Sequence, residues 1–174
     1  MADDNQTQGA AAAAGNQQSQ EAQMAVEHVF LKDSSFEALS PQEIASSEGQ
    51  PDINLNLAQR FNQINENRWE VILTVTITAK HKEQTAFVCE VQYSGIFALA
   101  GFTEQQMPYV INVICPNILF PYCRSQVASL VSAGGFYMPP MQAINFEALF
   151  RQRMAEAQAK AEAGQGIEPT NGAQ

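Results

Sequence analysis

The chain has 174 residues, of which 45% are hydrophobic and 16% charged, a composition typical of a globular protein with one domain. Asp and Glu number 18 against 9 Lys and Arg, so the formal net charge is -9 at pH 7. This acidity argues against nucleic acid and anionic membranes as partners. The N-terminus has neither a basic segment nor a leucine-type apolar core, so we expect no signal peptide, no membrane insertion and a cytoplasmic location.

The two ends of the chain are poor in large apolar side chains. Residues 1–26 are mostly Gln, Ala, Gly, Asn and Ser, which cannot bury enough surface to offset the entropy of ordering. We therefore predict a disordered N-terminal arm there. Residues 164–174 have a similar composition and predict a flexible C-terminal tail. A single domain is expected between them, over residues 27–163.

Alternation of apolar and polar residues predicts four strands. It is clearest over 68–81 and 85–98, where a polar turn from His81 to Gln84 joins two half-buried strands into an antiparallel hairpin. Residues 53–57 and 30–38 predict two more strands. In the last of these, strict alternation places Lys32 on the side of Phe36 and Leu31 on the side of Asp33.

The segment between the first two predicted strands, residues 40–52, contains two prolines and a glycine. A loop of this length in a compact domain is usually functional.

After Gly101 the apolar period becomes helical. Thr103 and Gln106 form a capping-box pattern, and an apolar stripe follows that two prolines, Pro116 and Pro121, interrupt. The stripe ends at a glycine pair, which predicts a kinked helix with a glycine cap. Asn145 is a plausible N-cap for a last amphipathic helix. The fold class is therefore α+β, with a four-stranded antiparallel sheet followed by a long kinked helix and a C-terminal helix.

The sequence shows no pattern that predicts catalysis. Nucleotide-binding, hydrolase and metalloprotease motifs are absent, and His28 and His81 are far apart in the sequence. The three cysteines, Cys89, Cys115 and Cys123, match no zinc or disulfide framework and are expected to be buried thiols. We therefore expect no enzymatic activity, no metal and no cofactor.

Residues 84–150 are rich in aromatic side chains and almost free of charged ones. A domain of this size has too little interior to bury all of them. We expect part of this apolar surface to face other subunits, with or without a surface for a bound apolar ligand; an unusually apolar monomer is the third alternative. Residues 27–52, by contrast, are acidic, which taken alone indicates a solvated face.

Several separate segments resemble one known family, the SecB family of bacterial protein-export chaperones. They occur in the family's order within residues 30–150 and read KDSSFEA (32–38), TAFVCEV (85–91), GIF (95–97), CPNILFPY (115–122) and INFEALF (144–150). The resemblance implies an ATP-independent holdase that forms a homotetramer, built as a dimer of dimers. Such a protein keeps unfolded precursor proteins competent for export and delivers them to the motor protein SecA.

The resemblance also implies roles for individual residues. The positions matching the family's SecA-binding surface are Asp33, Glu37, Val88 and Glu90, where the family often has Leu at position 88. Positions where its subunits meet match Phe87, Cys89, Val91 and Tyr93, and the helix from Met107 to Val131 is similar to the one that joins dimers. The walls of its client-binding groove match Ile53, Leu55, Leu57, Phe146, Leu149 and Phe150, for which plain core packing is the alternative.

The C-terminal tail is a weaker match, because its end lacks the basic residues of many relatives.

Two rival functions remain open. SecB-like chains also act as chaperones of toxin-antitoxin systems, although those relatives tend to lack the acids that Asp33, Glu37 and Glu90 retain here. An enzyme or small-ligand binder on a similar α+β scaffold is the other alternative.

Overall fold

The computed structural model describes residues 21–38, 51–82 and 84–164. Four strands, β1 (Gln23–Ala38), β2 (Asp52–Asn65), β3 (Arg68–His81) and β4 (Gln84–Ala100), form one antiparallel sheet. Their order is β1-β4-β3-β2, so β1 and β2 are its edges. Two helical segments follow the sheet along the chain, and the predicted α+β class is confirmed.

The first helical segment changes its winding along its length. It begins with α1 (Met107–Tyr109), continues through a π-turn (Val110–Ile114) and ends with α2 (Cys115–Ala133). We refer to residues 107–133 together as the long helix. A loop then leads to α3 (Phe146–Gly164), the C-terminal helix.

Side-chain hydrogen bonds close the turn before α1 and cap the start of α3. The Thr103 N–H donates to Oε1 of Gln106 at 2.9 Å, and the Gln106 N–H donates to Oγ1 of Thr103 at 3.3 Å, which is the reciprocal pair of a capping box. Oδ1 of Asn145 accepts a hydrogen bond from the Ala148 N–H at 2.9 Å at the start of α3. The predicted cap at Asn145 is confirmed, whereas the Thr103–Gln106 pair closes the turn that leads into α1 rather than capping α1 itself.

The long helix ends in a Schellman motif. Gly135 has a φ of 81° and its N–H donates to the Ser132 carbonyl at 3.0 Å, while the Phe136 N–H donates to the Val131 carbonyl at 3.1 Å. This backbone conformation favours glycine, which explains the glycine pair after the apolar stripe.

Pro116 produces a π-turn in the long helix. The Cys115 N–H donates to the Val110 carbonyl, five residues back, and Pro116 has no N–H to give to the Ile111 carbonyl. Nε2 of Gln59 in β2 donates to that carbonyl instead, at 2.7 Å. The helix therefore continues through Pro116, because the Gln59 side chain of the neighbouring sheet replaces the backbone N–H that proline lacks.

The two faces of the sheet have different surroundings. One, the covered face, packs against the long helix, and alternate residues of β3 and β4 on it are 0% exposed, among them Val71, Val75, Ile77, Phe87, Cys89, Val91 and Phe97. The opposite, open face carries the residues between them, such as Thr76, Glu90 and Gln92. The hydrophobic core therefore lies between the sheet and the long helix.

Two bulges in β1 interrupt the alternation that the sequence predicts. The register shifts between Val26 and His28 and between Leu31 and Asp33, so each site holds one extra residue. As a result, Leu31 lies opposite Tyr93 and Asp33 lies opposite Gln92, on different faces. The prediction that Leu31 and Asp33 share a side was wrong, because strict period two cannot continue through a bulge.

Two observed boundaries, the start of β1 and the end of α3, also differ from the predicted ones. Strand β1 begins at Gln23, opposite Ala100, so the end of the predicted 1–26 arm belongs to the sheet. Pairing with β4 satisfies this backbone without large side chains, which composition could not indicate. Helix α3 continues to Gly164, where the 164–174 tail was predicted to begin. The predictions for residues 1–20, for most of the 40–52 loop and for the tail after Gly164 lie outside the described residues.

Candidate functional site

The open face brings together the four residues predicted to bind SecA. Glu37 lies directly opposite Val88, and Asp33 and Glu90 lie on the same face of their strands. Asp33 and Glu37 are exposed on the edge strand, whereas Val88 and Glu90 are half-buried on β4. We call this surface, made of Asp33, Glu37, Val88 and Glu90, the acidic patch.

Two neighbouring side chains hold the Glu90 carboxylate. Oγ1 of Thr76 donates to Oε2 at 3.1 Å, and Nε2 of Gln92 donates to Oε1 at 3.0 Å. The amide oxygen of Gln92 in turn accepts a long hydrogen bond from Nη2 of Arg60 at 3.5 Å. Sequence analysis missed Thr76 and Gln92, because only the β3–β4 register shows that Thr76 lies opposite Glu90.

Two basic side chains on the open face, Lys32 and Arg68, are paired with acids outside the acidic patch. Nζ of Lys32 lies 2.7 Å from Glu70, and Nη2 of Arg68 lies 2.9 Å from Glu27. Hydrogen bonds from Lys32 and from Ser94 hold the pKa of Glu70 below its ordinary value. No ion pair within the described ranges includes an acid of the acidic patch. The patch therefore keeps its negative charge, which would attract a basic surface.

The predicted client-binding residues lie on the covered side, between β2 and α3. Leu57, Phe146, Leu149 and Phe150 line one cavity of about 10 Å³, with Gln59 among its other walls. That volume is close to what one water molecule needs, so in this conformation the cavity has no room for a client side chain.

Ile53 and Leu55 lie farther along the same face of β2, opposite Ala79 and Ile77, and Leu55 is 36% exposed. We call the whole set, Ile53, Leu55, Leu57, Phe146, Leu149 and Phe150, the β2 groove.

The helix that forms one wall of the β2 groove is packed at one end only. Phe146 packs against Phe120 with ring centroids 5.9 Å apart, and Phe150 packs against Tyr109 at 6.3 Å. Residues 151–161 of the same helix are all exposed. The contacts that hold α3 on the sheet are therefore confined to its first turns, and the exposed remainder is typical of segments with low local stability.

A second apolar cleft, of about 380 Å³, lies beside α2. Its walls are Pro121, Arg124, Ser125 and Ala128 of the helix and residues 138–141 of the loop before α3. Sequence analysis did not identify this cleft, and the Met-Pro-Pro-Met run at residues 138–141 is the sequence feature that could have indicated it.

Three of the four predicted subunit-interface residues are buried by their own chain. Phe87, Cys89 and Val91 are 0% exposed, because the long helix of the same chain packs on them. They are therefore inaccessible within this chain, and their role at a subunit interface stays a prediction. Tyr93 is half-buried, and its ring centroid lies 5.7 Å from that of Tyr122, which is exposed on α2.

Other large apolar residues are available to a second copy, on the β1 edge and on the long helix: Val26, Phe30, Leu31, Tyr109 and Tyr122.

Comparison with known proteins identifies the family. Residues 17–157 match the family described as preprotein translocase subunit SecB. The chain belongs to the SecB family. This confirms the resemblance found in the sequence, and it identifies the chain with a family of protein-export chaperones.

One solved structure shows the same fold. The SecB-like chaperone of Mycobacterium tuberculosis, solved in complex with a ChAD peptide from the HigA1 antitoxin, superposes with a TM-score of 0.57 at 11% identity. The match covers 70% of this chain and 90% of that one. A protein of unknown function from Streptococcus agalactiae matches at a TM-score of 0.41 and 12% identity, over 71% and 98% of the two chains.

The three cysteines of this SecB-family chain are free and buried. Burial raises the pKa of Cys89 and of Cys123 to about 11 and that of Cys115 to about 12, so these side chains are neutral thiols rather than nucleophilic thiolates at neutral pH. Among the residues that the structure describes, no three potential metal ligands gather, and no helix is long and apolar enough to cross a bilayer.

Proposed function

We propose that this chain is a cytoplasmic, ATP-independent holdase that binds unfolded secretory precursors, keeps them competent for export and delivers them to SecA. Family membership supports the chaperone role. The observation that carries the finer proposal is the separation of two surfaces: the acidic patch lies on the open face, and the β2 groove lies on the covered side. A client and the motor protein could then bind one protomer without competing for the same residues.

Clients would bind by burying apolar segments in the β2 groove after α3 moves aside. Burying about 1,000 Å² of apolar client surface contributes roughly 25 kcal/mol before costs. Ordering about 15 client residues costs roughly 15 to 30 kcal/mol. One groove alone is therefore marginal, and selectivity would come from slow folding of the client.

A homotetramer, a dimer of dimers, would present several grooves to one long chain and so raise the effective concentration. The exposed apolar residues on β1 and on the long helix support such an assembly.

Light scattering on a sizing column tests both assembly and client binding. The protein is run alone and then with an unfolded secretory precursor, without nucleotide. We expect a particle of four chain masses that gains one precursor. A monomer that does not bind the precursor would contradict the proposal.

Charge reversal within β2 tests the groove. Leu55→Glu with Leu57→Glu should retain the tetramer and abolish precursor binding, because charges would enter an apolar site. The matched control, Asn54→Glu with Asn56→Glu, adds the same charges to the opposite face of the same strand and should bind normally. Undiminished binding by the Leu variant would disprove the groove assignment.

Neutralisation of the patch tests delivery to the motor. Asp33→Asn with Glu37→Gln should weaken binding of purified SecA, and the remaining affinity should depend less on salt. Glu104→Gln, in the exposed turn before α1, is the control for loss of one negative charge elsewhere. Equal SecA affinity for all three proteins would reject the SecA-binding role of these acids.

The second candidate is a SecB-like chaperone of a toxin-antitoxin system. It is favoured by the shared fold with the Mycobacterium tuberculosis chaperone, whose structure contains an antitoxin peptide. Retention of Asp33, Glu37 and Glu90 favours the export role. Strong binding to an antitoxin-derived peptide, together with no binding to SecA, would select this alternative.

A further inference from the structure

Glu90 differs from the other acids of the acidic patch because neighbouring side chains fix its carboxylate. Thr76 reaches one carboxylate oxygen from β3, and Gln92 reaches the other from the next position on the same face of β4. We infer that Thr76 and Gln92 are positioning residues that hold Glu90 ready to bind an arginine side chain of SecA. This inference rests on the proposed function and deepens it.

The hydrogen-bond geometry carries the inference. A carboxylate oxygen can accept two hydrogen bonds, and each oxygen of Glu90 accepts one from a described side chain. Acceptor capacity therefore remains on both oxygens. A guanidinium group binds a carboxylate through two parallel N–H donors, one to each oxygen, whereas an ammonium group is a single point charge. A fixed carboxylate with capacity on both oxygens suits arginine.

Because the Glu90 side chain is immobilised before binding, its contact with an arginine of SecA should be stronger. A free glutamate side chain loses rotamer entropy when a partner fixes it, and that loss subtracts from the affinity. In this structure the rotamer is already held by hydrogen bonds at 3.1 and 3.0 Å. The entropy loss therefore occurs on folding rather than on binding.

Arg60 completes the arrangement without neutralising Glu90. Its Nη2 donates to the amide oxygen of Gln92, which turns the amide nitrogen of Gln92 towards Glu90. The two hydrogen bonds to Glu90 come from a hydroxyl and an amide, both uncharged. Glu90 is thus oriented while its charge remains available to a cationic partner.

The test measures the Kd of purified SecA for the assembled full-length protein and its variants. Thr76→Val keeps the shape and removes the hydroxyl, and Gln92→Leu removes the amide. We expect each to weaken binding about fivefold, Glu90→Gln to weaken it about tenfold or more, and Thr76→Ser to restore it. Thr78→Val is the matched control on the same face and strand, since the described side chains give Thr78 no acid to bind, and should bind normally.

A double variant separates positioning from structural damage. Thr76→Val should weaken SecA binding no further in the Glu90→Gln background, and precursor binding and the melting temperature should follow those of Thr78→Val. If Glu90→Gln weakens binding but Thr76→Val and Gln92→Leu stay within twofold of the parent, the inference is wrong and the proposed function stands. If Glu90→Gln has no effect, both the inference and the SecA contact at Glu90 are overturned.

Discussion

The covered and open faces are built from the same strands but differ in what fixes their residues. On the covered face, Val75, Ile77 and Cys89 are fixed by packing against the sheet and the long helix, and each is 0% exposed. On the open face, Thr76 and Glu90 are fixed by hydrogen bonds and remain partly accessible. The covered face therefore determines stability, whereas the open face can carry recognition with little effect on the fold.

The largest effect is expected from overpacking the covered face. Cys89→Tyr inserts an aromatic ring at a position with 0% exposure, and we expect the free energy of unfolding to fall by about 3 kcal/mol or more. Since Cys89 lies under the long helix, any loss of the proposed tetramer would act through displacement of that helix. Urea unfolding and sizing measure the two effects.

Val88→Tyr is the control for Cys89→Tyr, because it places the same ring at the adjacent position on the open face. Its stability should change by no more than about 1 kcal/mol. Equal losses for the two variants would mean that the faces do not differ as described.

The sequence predicted the faces of β3 and β4 well, because unbroken alternation reports directly which residues are buried. It could not predict the bulge beside Leu31, since an extra residue leaves no mark in composition. It also could not show that the long helix of the same chain covers Phe87 and Cys89, which left a subunit interface as a reasonable hypothesis.

The Glu90 network was not predictable for a related reason. Thr76 and Glu90 lie on different strands, and their pairing depends on the β3–β4 register. The π-turn at Val110–Ile114 could not be predicted either. Pro116 predicted an interruption, but only the tertiary structure shows that Gln59 replaces the missing donor.

A smaller change on the covered face tests how tightly the helix packs. A Cβ atom at Gly95 would lie 2.5 Å from the Phe97 ring and 3.0 Å from Leu119 of the long helix. Gly95→Ala should therefore lower the free energy of unfolding by about 2 kcal/mol, because an aromatic ring in a packed core cannot move aside freely. Urea unfolding provides the measurement.

Ala98→Val serves as the comparison for Gly95→Ala, since it adds bulk to the open face of the same strand. We expect a change within about 0.5 kcal/mol. A Gly95→Ala protein as stable as the parent would show that the sheet and helix pack more loosely than these distances indicate.

Gln59 tests a polar contact that joins β2 to the long helix. Gln59→Leu keeps an apolar stem on the covered face but leaves the Ile111 carbonyl without its donor, and we expect a loss of about 1 to 2 kcal/mol. Hydrogen exchange should also increase around the π-turn. Gln63→Leu is the control, because that amide makes only a 3.5 Å contact in an exposed turn, and an equal loss there would remove the special role of Gln59.

The smallest effect is expected on the open face, at the ion pair between Lys32 and Glu70. The pKa of Glu70 lies below its ordinary value of 4.5 in the folded chain, so this pair stabilises the fold above that pH and the contribution is lost as the pH falls through the folded pKa. Lys32→Met should lower the free energy of unfolding by less than about 1 kcal/mol at pH 7, because Lys32 is well exposed. The difference from the parent should shrink as the pH is lowered below the ordinary value for Glu, and it should be absent in a Glu70→Gln background. A difference that stayed constant with pH would show that Lys32 contributes through packing of its stem rather than through its charge.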